Sequence, residues 1–183
     1  MRKIFIDAGC WNGISTKLFF ENRMVEQYKT TSEGFVGYGF DPLTCYLDQM
    51  KELEQKYPFV FINKAAWIYD GEVEFGEFPR NESSSIKNKK FNFVSAKVRK
   101  VPCLNFSKWI EIFRGDYVVV KMNIEGAETD ILEKMIADGT IGIIKYMLWE
   151  DHYKKLDGEH MRRIDAIKKQ LPFEFHSYIR VPL

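Results

Sequence analysis

Residues 7 to 13 read Asp7-Ala8-Gly9-Cys10-Trp11-Asn12-Gly13. Two glycines bracket a tight turn, where backbone can approach a ligand and present N–H groups at a helix start. The spacing is G-x-x-x-G with an acid before the first glycine, not the G-x-G-x-x-G of dinucleotide sites. Asp7 repels a pyrophosphate and attracts an amine or a sulfonium. Farther on stands Phe40-Asp41-Pro42. A carboxylate there can accept both hydroxyl protons of a ribose, or cap a helix that starts near Pro42, or do both. Ala65 and Ala66 are small enough for a flat ring to lie against backbone. Lys121, Asn123 and Glu125 alternate directly after an apolar run, so they share one side of an extended chain. His152 follows the next apolar run and is a candidate base.

These pieces need a scaffold that brings them to one edge. Ile4-Phe5-Ile6 reads as a short buried strand, and residues 13–21 as a helix. Residues 35–40 read as the second strand. Leu43, Leu47, Met50 and Leu53 mark a helix over 43–56, which Pro58 ends before a third strand at 59–62. Val73-Glu74-Phe75 alternates, and a basic stretch runs from Lys87 to Lys100. Residues 72–100 therefore read as an antiparallel excursion or lid on the sheet edge, with 79–100 ordering when an acceptor binds. A helix is expected at 105–113. Tyr117 to Val120 reads as a central strand buried on both faces. A helix follows with Ala127, Ile131 and Met135 on one face, then a strand at 143–149. Residues 157–170 read as a helix with Met161, Ile164 and Ile167 inward, and 173–181 as a closing strand or hairpin. This alternation predicts an α/β fold: a Rossmann-like, doubly wound, mostly parallel sheet with an antiparallel last strand. Ligands in such sheets bind beyond the carboxyl ends of the strands, where strand order reverses.

Composition agrees with a folded domain spanning 1–183. Of 183 residues, 45% are hydrophobic, 29% charged and 15% aromatic. The net charge of +1 gives no field toward nucleic acid or anionic membranes. No run approaches the roughly 20 apolar residues of a membrane span. The apolar piece near Met1 is too short for a signal peptide. The 3 cysteines, Cys10, Cys45 and Cys103, form no C-x-x-C pair. A reducing, cytoplasmic setting is expected, with no disulfide framework or zinc site.

Asp7, the glycine turn and Asp41 together point to S-adenosylmethionine rather than NAD. The same pieces, in this order, resemble the FkbM-like family of S-adenosylmethionine-dependent methyltransferases from Phe5 to about Tyr153. The segments that carry the resemblance are residues 6–13, Phe40-Asp41-Pro42, Ala65-Ala66 followed by Asp70-Gly71, and Val120 to Glu128. The last is the most specific. The family usually writes it K-x-D-x-E-G-x-E, with aspartate where this chain has Asn123, and it usually has glutamate where this chain has Asp41. The resemblance implies a class I methyltransferase fold and O-methyl transfer to a sugar or another small hydroxyl compound. It assigns Asp7, Gly9, Asn12 and Gly13 to the methionine part of the cofactor, Asp41 to the ribose, and Ala65 and Ala66 to the adenine. Cys10, Trp11 and Pro42, in the same segments, are also expected to bind the cofactor. Lys121, Asn123 and Glu125 would face the methyl group. Members often carry extra N-terminal sequence, whereas this chain starts at its first strand.

Methyl transfer to oxygen needs collinear alignment and removal of a proton. His152 is the first candidate base and Glu125 the second. Lys121 can stabilise an alkoxide by its charge. A divalent metal (Mg or Mn) held by Asn123, Glu125 and a neighbour is an alternative. Two other readings stay open. The lysines and phenylalanines of 87–100 suit methylation of RNA or a nucleotide. Asn123 also suits a Rossmann binding domain without catalysis.

Overall fold

The computed structural model describes residues 1–78, 84–86, 97–150, 158–173 and 175–177. Along β1 (Lys3–Ala8) and β7 (Tyr117–Met122) successive side chains point to opposite faces, and both faces are apolar. Ile4, Ile6, Val118, Val120 and Met122 join one core cluster, while Phe5 and Val119 join another on the reverse side. A strand buried on both faces must be central, with helices above and below. The first face is covered by α4 (Phe106–Trp109), α5 (Glu128–Ala137) and α6 (Gly158–Lys168), through Phe106, Ile131, Met135, Ile164 and Ile167. The reverse face is covered by α1 (Ile14–Phe20) and α2 (Val25–Tyr28), through Leu18, Phe19 and Tyr28. The Phe19 ring stacks on Phe5 at 3.9 Å between centroids.

The main sheet has six strands in the order β3-β2-β1-β7-β8-β9, adding β2 (Phe35–Phe40), β3 (Phe59–Ile62), β8 (Ile144–Trp149) and β9 (Phe175–Ser177). Every described pairing in it is parallel. This is an α/β doubly wound sheet of Rossmann-like order. The closing strand differs from expectation. β9 pairs parallel to β8, because α6 crosses over the sheet face and returns the chain to the same end. A sheet of three strands, β4 (Ala65–Trp67), β6 (Lys97–Asn105) and β5 (Gly71–Glu77), stands apart from the main sheet rather than extending its edge. β5 and β6 pair antiparallel, and residues 84–86 join β5 through Gly76 and Ser85. Residues 79–83 and 87–96, most of the expected lid, lie outside the described residues.

Two helices depart from their sequence pattern. α3 spans Leu47–Lys56, so the segment after Asp41 is not helical. The Asp41 carboxylate takes the Leu43 N–H, and the Pro42 and Leu43 carbonyls accept from Arg99 and Asn63. Those carbonyls are thereby withdrawn from a first helical turn. In α6, His160, Ile164 and Ile167 face inward, while Met161 is 45% exposed. The buried stripe steps by four and three from His160, and Met161 lies beside it. Cys10 and Cys103 are buried and Cys45 is exposed, all as free thiols. Among the described residues, no helix is long and apolar enough to cross a membrane.

Candidate functional site

Strand order reverses between β1 and β7, and the loops that leave these two strands diverge there. Gly9 lies in the left-handed region at φ 80. A Cβ on it would stand 2.0 Å from the Asn123 carbonyl oxygen, so only glycine lets the two loops touch. Trp11 is left-handed at φ 49 and Glu125 at φ 58, a conformation side chains adopt rarely and often at functional sites. Four N–H groups of the turn are bonded within the protein. The N–H groups of Gly9 and Cys10 donate to the Phe40 carbonyl, and that of Gly13 to Cys10. The Trp11 N–H donates to Asp41 Oδ2 at 3.0 Å, and the Ile14 N–H to Asn12 Oδ1 at 3.2 Å.

Asp7 and Lys121 stand directly opposite each other on neighbouring strands. Both are buried, and Lys121 Nζ lies 2.9 Å from Asp7 Oδ1. Lys121 also donates to the Gly9 carbonyl at 2.7 Å. Ser15 and Thr16, in the first turn of α1, donate to Asp7 Oδ2 at 2.6 and 2.8 Å. Asp7 is therefore charge-balanced inside the sheet and does not line the cavity at its edge. The field expected to draw a cation to Asp7 is neutralised by Lys121. The register of β1 against β7 places the acid Asp7 and the cation Lys121 side by side on one face, and Ser15 and Thr16 reach the same carboxylate from the first turn of α1.

The cavity at this edge measures about 290 Å³, near the lower end of the roughly 300–1,000 Å³ of small-molecule sites. Its wall collects Gly9, Cys10 and Trp11 after β1, Asp41 and Pro42 after β2, and Ala65 and Ala66 from β4. Lys121, Asn123 and Glu125 close it from β7. Asn12 and Gly13 shape the turn without lining the cavity. Phe75, Ser84 and Ile86, from β5 and the segment after it, form a further wall that sequence reasoning did not assign. Asp41 is 7% exposed, and burial pushes its carboxyl up to about 6 despite the N–H groups of Leu43 and Trp11. Burial also holds the Cys10 thiol well above its ordinary range, so it is protonated and not a nucleophile.

The loop after β7 is held from behind. Glu128, fully buried, accepts the Ile124 N–H through Oε1 and the Gly126 N–H through Oε2, each at 2.8 Å. Ser85 Oγ donates to the Glu125 carbonyl at 2.8 Å. Asn123 donates from Nδ2 to Glu150 Oε2 at 2.7 Å. Neither Glu128 as a clamp nor Glu150 as a partner of Asn123 was expected. His152 lies outside the described residues. Among the described residues, no group of three or more His, Cys, Asp or Glu side chains is gathered to hold a metal ion. No protein-family model, curated protein or solved structure matches the chain.

Proposed function

We propose that the chain transfers a methyl group from S-adenosylmethionine to a hydroxyl of a sugar or other small acceptor. One observation carries this reading over a dinucleotide. The order of the main sheet suits either ligand, but the N–H groups of Gly9, Cys10, Trp11 and Gly13 are already bonded within the protein. A pyrophosphate needs such donors, whereas a cationic or neutral ligand does not. The cavity lining supports a nucleoside sulfonium over other ligands. Asp41 would accept ribose hydroxyls, and the small Ala65 and Ala66 would lie against a flat base. Trp11 brings an indole N–H, buried and without a partner among the described residues. When bound, S-adenosylmethionine supplies an electrophilic methyl carbon attached to a sulfonium.

The chain's own groups would then orient the acceptor and take its proton. Glu125 lines the cavity and is the carboxylate of the β7 loop proposed as base. Lys121, bonded to Asp7 and Gly9, holds the two loops together and contributes less to alkoxide stabilisation than its charge alone suggests. Calorimetry with S-adenosylhomocysteine tests the reading. Binding in the micromolar range or tighter is expected, with at least roughly tenfold loss in Asp41→Ala. Binding of NAD without binding of S-adenosylhomocysteine overturns it.

A further inference from the structure

One polar atom at the cavity's β7 wall has an incomplete environment. Asn123 lines the cavity, and its Nδ2 donates to Glu150 Oε2 at 2.7 Å. A carboxylate accepts, so the contact assigns the amide: nitrogen toward Glu150, oxygen away from it. Asn123 Oδ1 is buried and has no partner among the described residues. A buried acceptor left without a donor is destabilising, and such groups in folded proteins ask for an explanation. The loop around it is not slack. Asn123 N–H bonds to the Ala8 carbonyl at 3.0 Å, and Glu128 clamps the two N–H groups that follow. The amide cannot turn over, since its oxygen would then meet the Glu150 carboxylate.

Resting on the methyl-transfer reading, we propose that Glu150 is a positioning residue. It orients Asn123 so that Oδ1 receives the proton-bearing group of the methyl acceptor. An amide oxygen is too weak a base to remove that proton. It holds the O–H or N–H in place while a lone pair of the same atom faces the methyl carbon. The new oxygen–carbon or nitrogen–carbon bond would form as the methyl–sulfur bond breaks, the sulfur leaving as the neutral thioether S-adenosylhomocysteine. The proton would pass afterwards to a carboxylate or water. The arrangement selects neutral nucleophiles that carry a hydrogen, alcohols or un-ionised amines. It rejects carboxylates, which would set a second acceptor against Oδ1.

The test uses the full chain with S-adenosylhomocysteine and three probes of similar shape: benzyl alcohol, aniline and benzoate. The Asn123 side-chain amide is followed by proton–nitrogen NMR and assigned by its loss in Asn123→Ala. Benzyl alcohol and aniline should shift it at concentrations at least roughly tenfold below those benzoate needs. Glu150→Gln keeps the shape but lets the side chain donate as well as accept, so the amide loses its fixed sense. That variant should reduce the preference to about twofold or less while leaving the affinity for S-adenosylhomocysteine unchanged. Calorimetry of Asn123→Ala with the same probes gives a second route and should show the same loss. Equal response to benzoate, no response to any probe, or a preference that survives either variant overturns the proposal. Failure of the wild type to bind S-adenosylhomocysteine overturns the methyl-transfer reading instead. The probe comparison, repeated without it, still reads the preference of Asn123.

Discussion

Lys121→Met tests whether the ion pair beneath the cavity is part of its frame. The substitution keeps chain length and removes the ammonium. Asp7, fully buried, loses the partner at 2.9 Å, and the Gly9 carbonyl loses its donor at 2.7 Å. Removing one member of a buried pair typically costs about 3–5 kcal/mol, because the other charge is left uncompensated. Ser15 and Thr16 still donate to Asp7 Oδ2, which places this case near the lower figure, about 3 kcal/mol. For a chain of this size that lowers the midpoint of thermal unfolding by about 6–12 °C. The double variant Asp7→Asn/Lys121→Met has no charge to strand. It should lie within about 1–2 kcal/mol of the wild type and be more stable than Lys121→Met. Urea unfolding followed by circular dichroism measures all variants in one cycle. A loss under about 1 kcal/mol in Lys121→Met, or a double variant that loses the sum of the singles, would refute the reasoning.

Four other outcomes are expected. Asp41 is raised from 3.8 to about 6, so the folded state binds its proton more tightly than the unfolded chain. Its contribution to stability therefore falls as pH rises from about 4 to 6 and is flat above, and Asp41→Asn should remove that slope in pH-dependent unfolding. The ionised carboxylate is the better acceptor for ribose hydroxyls, so wild-type affinity for S-adenosylhomocysteine should rise between pH 5 and about 7.5, as calorimetry would read, and stay level in Asp41→Asn. Glu128→Ala leaves the N–H groups of Ile124 and Gly126 without their acceptor and should lower stability by about 2–4 kcal/mol, with faster amide exchange in residues 123–127. Gly9→Ala meets the Asn123 carbonyl at 2.0 Å in a left-handed conformation, and its unfolding free energy, read by urea titration, should fall by more than the roughly 1–2 kcal/mol of the backbone strain alone.

Local pattern determined much of this protein. Alternation and apolar runs mark β1, β2, β3, β5, β7 and β8, and the turn 9–13, Asp41, Ala65-Ala66 and the segment 121–125 can all be picked out by residue type and spacing. Each depends on interactions within a few residues of chain, which is why one sequence suffices. What those residues bond to was decided by contacts far apart in sequence. Lys121 reads as a free cation until β7 lies beside β1 and sets it opposite Asp7. Asn123 reads as an aspartate that has lost its charge until β8 brings Glu150 within 2.7 Å of it. The start of α3 was misplaced because Arg99 and Asn63, remote from it in the chain, take the carbonyls of its expected first turn. The direction of β9 was misread for a similar reason. A short strand carries no mark of parallel or antiparallel pairing, and only the crossover through α6 sets it.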